Sequence, residues 1–188
     1  IAALMRENLI KAQEYKDKKE RFKQKGSGDV FSEDLAMESL LPVLAGEMPV
    51  MVHCERKDDI LTAMRIADEF DLDIILDGAT DAYKVMNEIK EKNIPVILED
   101  LFRGAGNVED KGFNPKTPAL LAEAGIPVSF RVSEGSWYTP GAGEAGGDLL
   151  ETAAFAVKYG MPEEDALKAV TITAARIAGV DDRVGSIE

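Results

Sequence analysis

The sequence predicts an α/β fold built from parallel strand–helix–strand units. Four short apolar runs recur along the chain, and helical periodicity fills the intervals between them. The runs are apolar at successive positions, the mark of strands covered on both faces. Right-handed crossovers then give either an open doubly wound sheet or a (β/α)₈ barrel. Four units are half a barrel, which typically needs ~250 residues, against 188 here.

The elements follow in order. Ile1 to about Lys25 opens with apolar or small residues at Ala3, Leu4, Leu9, Ile10, Ala12 and Tyr15, then becomes almost wholly charged. This predicts an amphipathic helix that continues as a solvated extension, ended by Gly26-Ser27-Gly28. A helix is predicted from about Ser32 to Ala45, with Ser32 and Asp34 as possible caps. Pro49 to Cys54 is the first strand. Asp58-Asp59 opens a helix through Phe70, and Asp73 to Asp77 is the second strand. Thr80 or Asp81 caps a helix to about Lys92, and Ile94 to Leu98 is the third strand. Thr117-Pro118 starts a helix that Gly125 closes, and Ile126 to Phe130 is the fourth strand. Two helices follow, about Gly147 to Tyr159 and Pro162 to Ile177, split by Gly160-Met161-Pro162.

Composition narrows the function. Hydrophobic residues are 45% and charged residues 30%, the balance of a globular protein rather than a disordered one. No window approaches the ~18 consecutive apolar residues of a membrane span. Lys and Arg number 22 against 35 Asp and Glu, a net charge of −13. That argues against a nucleic-acid surface, which needs cations to offset phosphate. The sole cysteine, Cys54, excludes an internal disulfide and fits a reducing cytosol. The sole histidine, His53, means that a zinc enzyme built wholly from these residues would lack the usual His cluster. The start at Ile1 without a leader, and the strand-like opening at Arg183 to Glu188, read as a piece of a longer protein.

In both architectures chemistry belongs at the carboxyl ends of the strands. Here those ends supply His53, Glu55 and Arg56; Asp77, Gly78 and Thr80; Glu99, Asp100 and Arg103; then Arg131, Ser133, Glu134 and Ser136. Alternation puts His53 and Glu55 on one face, where an imidazole and a carboxylate can share a metal or a proton. The plainer reading of a lone histidine is a hydrogen-bonded interior residue. Asp58, Asp59 and Asp81 read as helix N-terminal charges favoured by the dipole. Glu99 and Glu134 directly follow apolar strands and are harder to assign to surface charge. No Gly-x-Gly-x-x-Gly follows a strand. Gly141 to Gly147 precedes a helix and could host an anion, but reads better as a mobile loop.

Several segments resemble one family. They are Ala2 to Tyr15, Leu40-Leu41-Pro42-Val43-Leu44-Ala45-Gly46-Glu47-Met48-Pro49-Val50, Val52-His53-Cys54-Glu55-Arg56-Lys57-Asp58-Asp59-Ile60, Asp81-Ala82-Tyr83-Lys84 and Thr117-Pro118-Ala119-Leu120-Leu121. The most specific is Ala166-Leu167-Lys168-Ala169-Val170-Thr171-Ile172-Thr173-Ala174-Ala175-Arg176, followed by Arg183-Val184-Gly185-Ser186-Ile187. Together they resemble the imidazolonepropionase-like branch of the amidohydrolase superfamily. The resemblance implies roughly half of a (β/α)₈ TIM-type barrel. Residues 1–180 would be the C-terminal part of the barrel, and residues 181–188 the start of a strand leading to a β-sandwich segment.

It also implies metal-activated water acting on a non-peptide C–N bond, such as a cyclic amide. His53 falls where the family carries its fifth-strand metal ligand. The sixth-strand His would fall on Gly78, which has no side chain. The eighth-strand Asp would fall on Glu134, whose extra methylene shifts the oxygen. The implied roles are His53 and Glu134 as ligands, Glu134 as catalytic base, and Glu55, Arg56 and Ser136 as substrate contacts. Zinc is the first choice of metal, with manganese or iron as alternatives. The implied partner is a small-molecule substrate, with no nucleic acid and no membrane, in a cytoplasmic homo-oligomer. Gly78 motivates an alternative: a catalytically degenerate barrel serving as a small-molecule binding or scaffold protein. An unrelated open α/β binding domain is the third reading.

Overall fold

The computed structural model describes residues 1–25, 30–99, 101, 109–131 and 149–186. Among them the helices are α1 (Ala2–Lys25), α2 (Leu35–Glu38), α3 (Leu41–Leu44), α4 (Lys57–Phe70), α5 (Met86–Glu91), α6 (Thr117–Glu123), α7 (Leu149–Lys158), α8 (Glu163–Ala169) and α9 (Ile172–Ile177). The strands are β1 (Val50–Cys54), β2 (Ile74–Gly78), β3 (Val96–Glu99) and β4 (Val128–Arg131). They form one sheet in the order β1-β2-β3-β4, and β2–β3 and β3–β4 pair in parallel.

Burial explains why these strands read as unbroken apolar runs. All of β2 is buried, as are β3 and β4 except at their last residues. β1, at the end of the order, alternates and fully buries Cys54 alone of its residues. Pro95 and Pro127 stand just before β3 and β4. A proline has no N–H to give a ladder, but its carbonyl still accepts: Leu76 N donates to Pro95 O (3.0 Å) and Val96 N to Pro127 O (2.9 Å). The register aligns Asp77 with Ile97, Ile97 with Ser129, and Glu99 with Arg131. With a side-chain period of two, Asp77, Glu99 and Arg131 therefore share one face.

The chain forms two compact units. One comprises Ile1–Val50 and Thr62–Ile74. Its core is Leu9, Ile66 and Phe70, with Ala2, Met5, Leu44 and Leu72 packed against them. Arg6 Nε donates to Glu69 Oε2 at 2.6 Å. The charged half of α1 is mostly exposed, as expected, yet it stays helical to Lys25 and is held at two points. Lys19 and the Tyr15 hydroxyl both donate to Glu38, and the rings of Tyr15 and Phe22 lean on Phe31 at 5.6 and 5.3 Å. The single helix expected over Ser32 to Ala45 is instead α2 and α3. Asp34, not Ser32, caps α2, accepting from Ala36 N (3.0 Å) and Met37 N (3.3 Å). Pro42 lies in the first turn of α3, the one helical place where a missing N–H costs nothing, so no continuous helix runs through it.

The other unit comprises Met51–Leu61 and Ile75–Glu188. Here α6, α7, α8 and α9 pack on β4. Leu76, Val96, Ile89, Leu121 and Thr152 are its fully buried side chains of largest volume, with Val85, Pro118 and Ile60. Two expected helices are again broken. Asp81 to Lys92 resolves into a 3₁₀ turn at Ala82–Lys84 and then α5, because Val85 leaves the helical region (φ −134°, ψ 30°). Pro162 to Ile177 resolves into α8 and α9, split at Thr171 (φ −131°, ψ −103°), whose hydroxyl donates back to Leu167 O at 2.7 Å. No helix of the described residues is long and apolar enough to cross a membrane.

Candidate functional site

The carboxyl ends of β1 and β2 are tied together by main-chain bonds. Ala79 N donates to Cys54 O (2.7 Å), and Asp81 N donates to Glu55 O (2.9 Å). Side chains reinforce the tie. Lys57 N donates to Asp81 Oδ2 (3.1 Å), which matches the expected place of Asp81 near a helix start but on α4 rather than on its own helix. Thr80 N donates to Glu55 Oε2 (3.1 Å), and the Thr80 hydroxyl donates to the same oxygen. The β2 end turns through positive φ at Gly78 (83°) and Ala79 (44°).

On this scaffold five polar side chains converge. His53 Nδ1 lies 3.0 Å from Asp77 Oδ2. Asp77 also receives a bidentate pair from Arg131, Nε to Oδ1 and Nη2 to Oδ2, each 3.0 Å. Arg131 Nη2 reaches Glu99 Oε2 at 2.5 Å as well. Glu55 Oε1 stands 3.6 Å from His53 Nε2, an ion-pair distance too long for a good hydrogen bond. Exposure grades the site: the Asp77 side chain is 7% exposed, Glu99 15%, Arg131 40% and His53 59%. An ionised Asp77 accepts only, so Nδ1 of a neutral His53 carries the proton and Nε2 the lone pair. Asp77 thus fixes the ring, with Nδ1 toward Asp77 and Nε2 toward Glu55.

One ligand atom each from His53, Asp77 and Glu99 lies within 4.8 Å of the others. An imidazole nitrogen with carboxylate oxygens is a donor set that suits zinc, manganese or iron, so the residues present fit a divalent metal. The Arg131 guanidinium holds the same carboxylates.

The expected site residues divide. His53 and Glu55 come together as the strand alternation predicts. Arg56 is exposed; its carbonyl accepts from Asp59 N and Ile60 N at the start of α4, and among the described residues its side chain makes no hydrogen bond or ion pair. Glu134 and Ser136 lie outside the described residues, as does the Gly141 to Gly147 loop. At the end of β2 the side chain that meets His53 is Asp77, one residue before Gly78. Gly78 offers no ligand atom, and a Cβ there would stand 2.5 Å from Glu55 Oε1 and 3.1 Å from His53 Cε1, so Glu55 would have to shift to admit a side chain. Asp77, Glu99 and Arg131 carried no assigned role from the sequence. Strand register groups them: Asp77 pairs with Ile97, two residues before Glu99, and Ile97 pairs with Ser129, two before Arg131, a phase that the sequence alone does not give. Cys54 takes no part; burial, then the charges of Glu55, Asp59 and Asp77, push its thiol up to about 12.

Known proteins share this arrangement of strands. The model of the amidohydrolase family matches residues 29–188. The crystal structure of an amidohydrolase from Thermotoga maritima MSB8 superposes with a TM-score of 0.87 at 34% identity over 100% of this chain. This chain spans 47% of that one, about half its length. An uncharacterized protein of known structure shares the fold at a TM-score of 0.55 and 18% identity, over 81% of this chain and 38% of its own. Among curated proteins no sequence matches.

Proposed function

Because the chain belongs to the amidohydrolase family, we propose that it supplies the C-terminal part of the barrel of a metal-dependent hydrolase. Its substrate would be a small molecule with a non-peptide C–N bond, such as a cyclic amide, as in the imidazolonepropionase-like branch. The observation that carries the reading is the convergence of His53, Asp77 and Glu99 at strand carboxyl ends, where barrel enzymes place their chemistry. These three residues would hold the metal, zinc before manganese or iron. When bound, it supplies Lewis-acid activation of water and polarisation of the scissile carbonyl.

The chain's own residues do the rest. With no metal bound, Asp77 accepts from His53 Nδ1 and Arg131 holds Asp77 and Glu99 in place; a metal among the three would replace the Nδ1 proton. Glu55, pinned by Thr80, walls the side of the imidazole. Glu134 belongs to the proposal as general base and further ligand, and Glu55, Arg56 and Ser136 as substrate contacts. A cytosolic homo-oligomer completes it, in keeping with the single cysteine. A second reading, a catalytically silent barrel that binds a small molecule, is favoured by one observation: Arg131 already pairs with both carboxylates that a metal would need.

Elemental analysis of the full-length protein, purified without chelator, separates the two. About one zinc, manganese or iron per chain, lost in His53→Ala, is the expected result, and it justifies a screen of lactams and linear amides. No metal after reconstitution would overturn the hydrolase reading in favour of the binding protein.

A further inference from the structure

We propose that Arg131 is a built-in counter-cation that competes with the divalent metal for Asp77 and Glu99, so that loading the site requires its guanidinium to swing aside. This rests on the reading that His53, Asp77 and Glu99 hold a metal. The geometry points to competition rather than coexistence. Nη2 bridges the two carboxylates, 3.0 Å from Asp77 Oδ2 and 2.5 Å from Glu99 Oε2. Nε takes the remaining Asp77 oxygen, Oδ1. A zinc or manganese ion bonds carboxylate oxygens at ~2.0–2.2 Å, so an ion between Asp77 and Glu99 would occupy the volume that Nη2 fills. Two cations packed there would also repel each other in a partly desolvated place.

The charges make the exchange feasible. The guanidinium brings one positive charge to Asp77 and Glu99, and a divalent ion would bring two. The two partners also differ in freedom. Asp77 is buried and anchored, whereas the Arg131 side chain is 40% exposed and has a route to solvent. The carboxylates therefore stay in place while the cation is exchanged. In the absence of metal, Arg131 spares Asp77 the cost of being an unpaired buried charge.

The test is cobalt(II) binding to the full-length protein, followed by visible absorption and equilibrium dialysis. Arg131→Gln removes the competing charge, and Arg131→Lys keeps it without the bidentate fork. The expected result is binding at least tenfold tighter in Arg131→Gln than in the wild type, with Arg131→Lys between them. Equal affinity in wild type and Arg131→Gln would overturn the proposal and leave the metal reading standing. Cobalt binding in none of the three would overturn both. If Arg131→Gln fails to fold, the wild type decides: its Arg131 Nε–H resonance should move as diamagnetic zinc saturates the site. A resonance that keeps its position at saturating zinc would overturn the competition.

Discussion

At Gly78 the backbone takes φ +83°, where a side chain is strained whatever the space around it. An added Cβ would also meet Glu55 Oε1 at 2.5 Å, and Glu55 cannot move freely because Thr80 holds its other oxygen. Gly78→Ala is therefore expected to cost about 1–2 kcal/mol of stability, the usual penalty of a left-handed L-residue. Chemical denaturation measures it, and an unchanged midpoint would show that the turn relaxes without strain. The same position shows where residue-level reading of the sequence stops. His53 at a strand end was legible from hydrophobic patterning alone. Which of Asp77 and Gly78 meets it was not, because a one-residue shift in strand phase exchanges the two faces. Pattern gives the strand; hydrogen-bonded register gives the phase. Arg131 was placed at a strand end but given no role, for a related reason. Its partners Asp77 and Glu99 lie 54 and 32 residues away, and nothing local in the sequence pairs them.

Among the elements, α2 is a single turn that depends on its neighbours. Its Glu38 receives Lys19 and Tyr15 from α1. The Lys19 hydrogen bond, then that of Tyr15, holds the Glu38 carboxyl below its ordinary value. A carboxyl with a depressed pKa in the folded state stabilises the fold above its unfolded pKa. That contribution is lost as the pH falls through the folded value. Wild type should therefore exceed Glu38→Gln in denaturation midpoint at neutral pH, with the gap closing on acidification below the ordinary carboxylate range. A gap independent of pH would assign the effect to packing instead.

Element boundaries were less legible than element types. Strands β2 to β4 lie inside or within a residue or so of the apolar runs, because burial on both faces demands such runs. The helices near Pro42, Val85 and Thr171 read as longer than they are. Apolar periodicity continues across each break, and the break is made by backbone geometry that periodicity does not register.

For the whole molecule, strand count alone left an open sheet and a barrel equally available. The likeness to the Thermotoga amidohydrolase decides for part of a barrel. The sequence order of the strands is also their spatial order, which a barrel requires and a doubly wound sheet, with its reversal point, does not. Such a sheet closes only with further strands, so the 188-residue polypeptide taken by itself should self-associate through unpaired strand edges. Light scattering behind size exclusion tests this. A monomer with a sharp, concentration-independent melting transition would contradict it.

The Glu99–Arg131 pair has a meaning for assembly as well as for chemistry. These two residues are register partners on adjacent parallel strands. If β4 docked one step out of alignment, Arg131 would turn toward the opposite face, and its ion pair with Glu99 would be broken. A misthreaded sheet thus penalises itself electrostatically before any ligand arrives. The pair would thus favour the correct register of β4 on β3 as the sheet assembles.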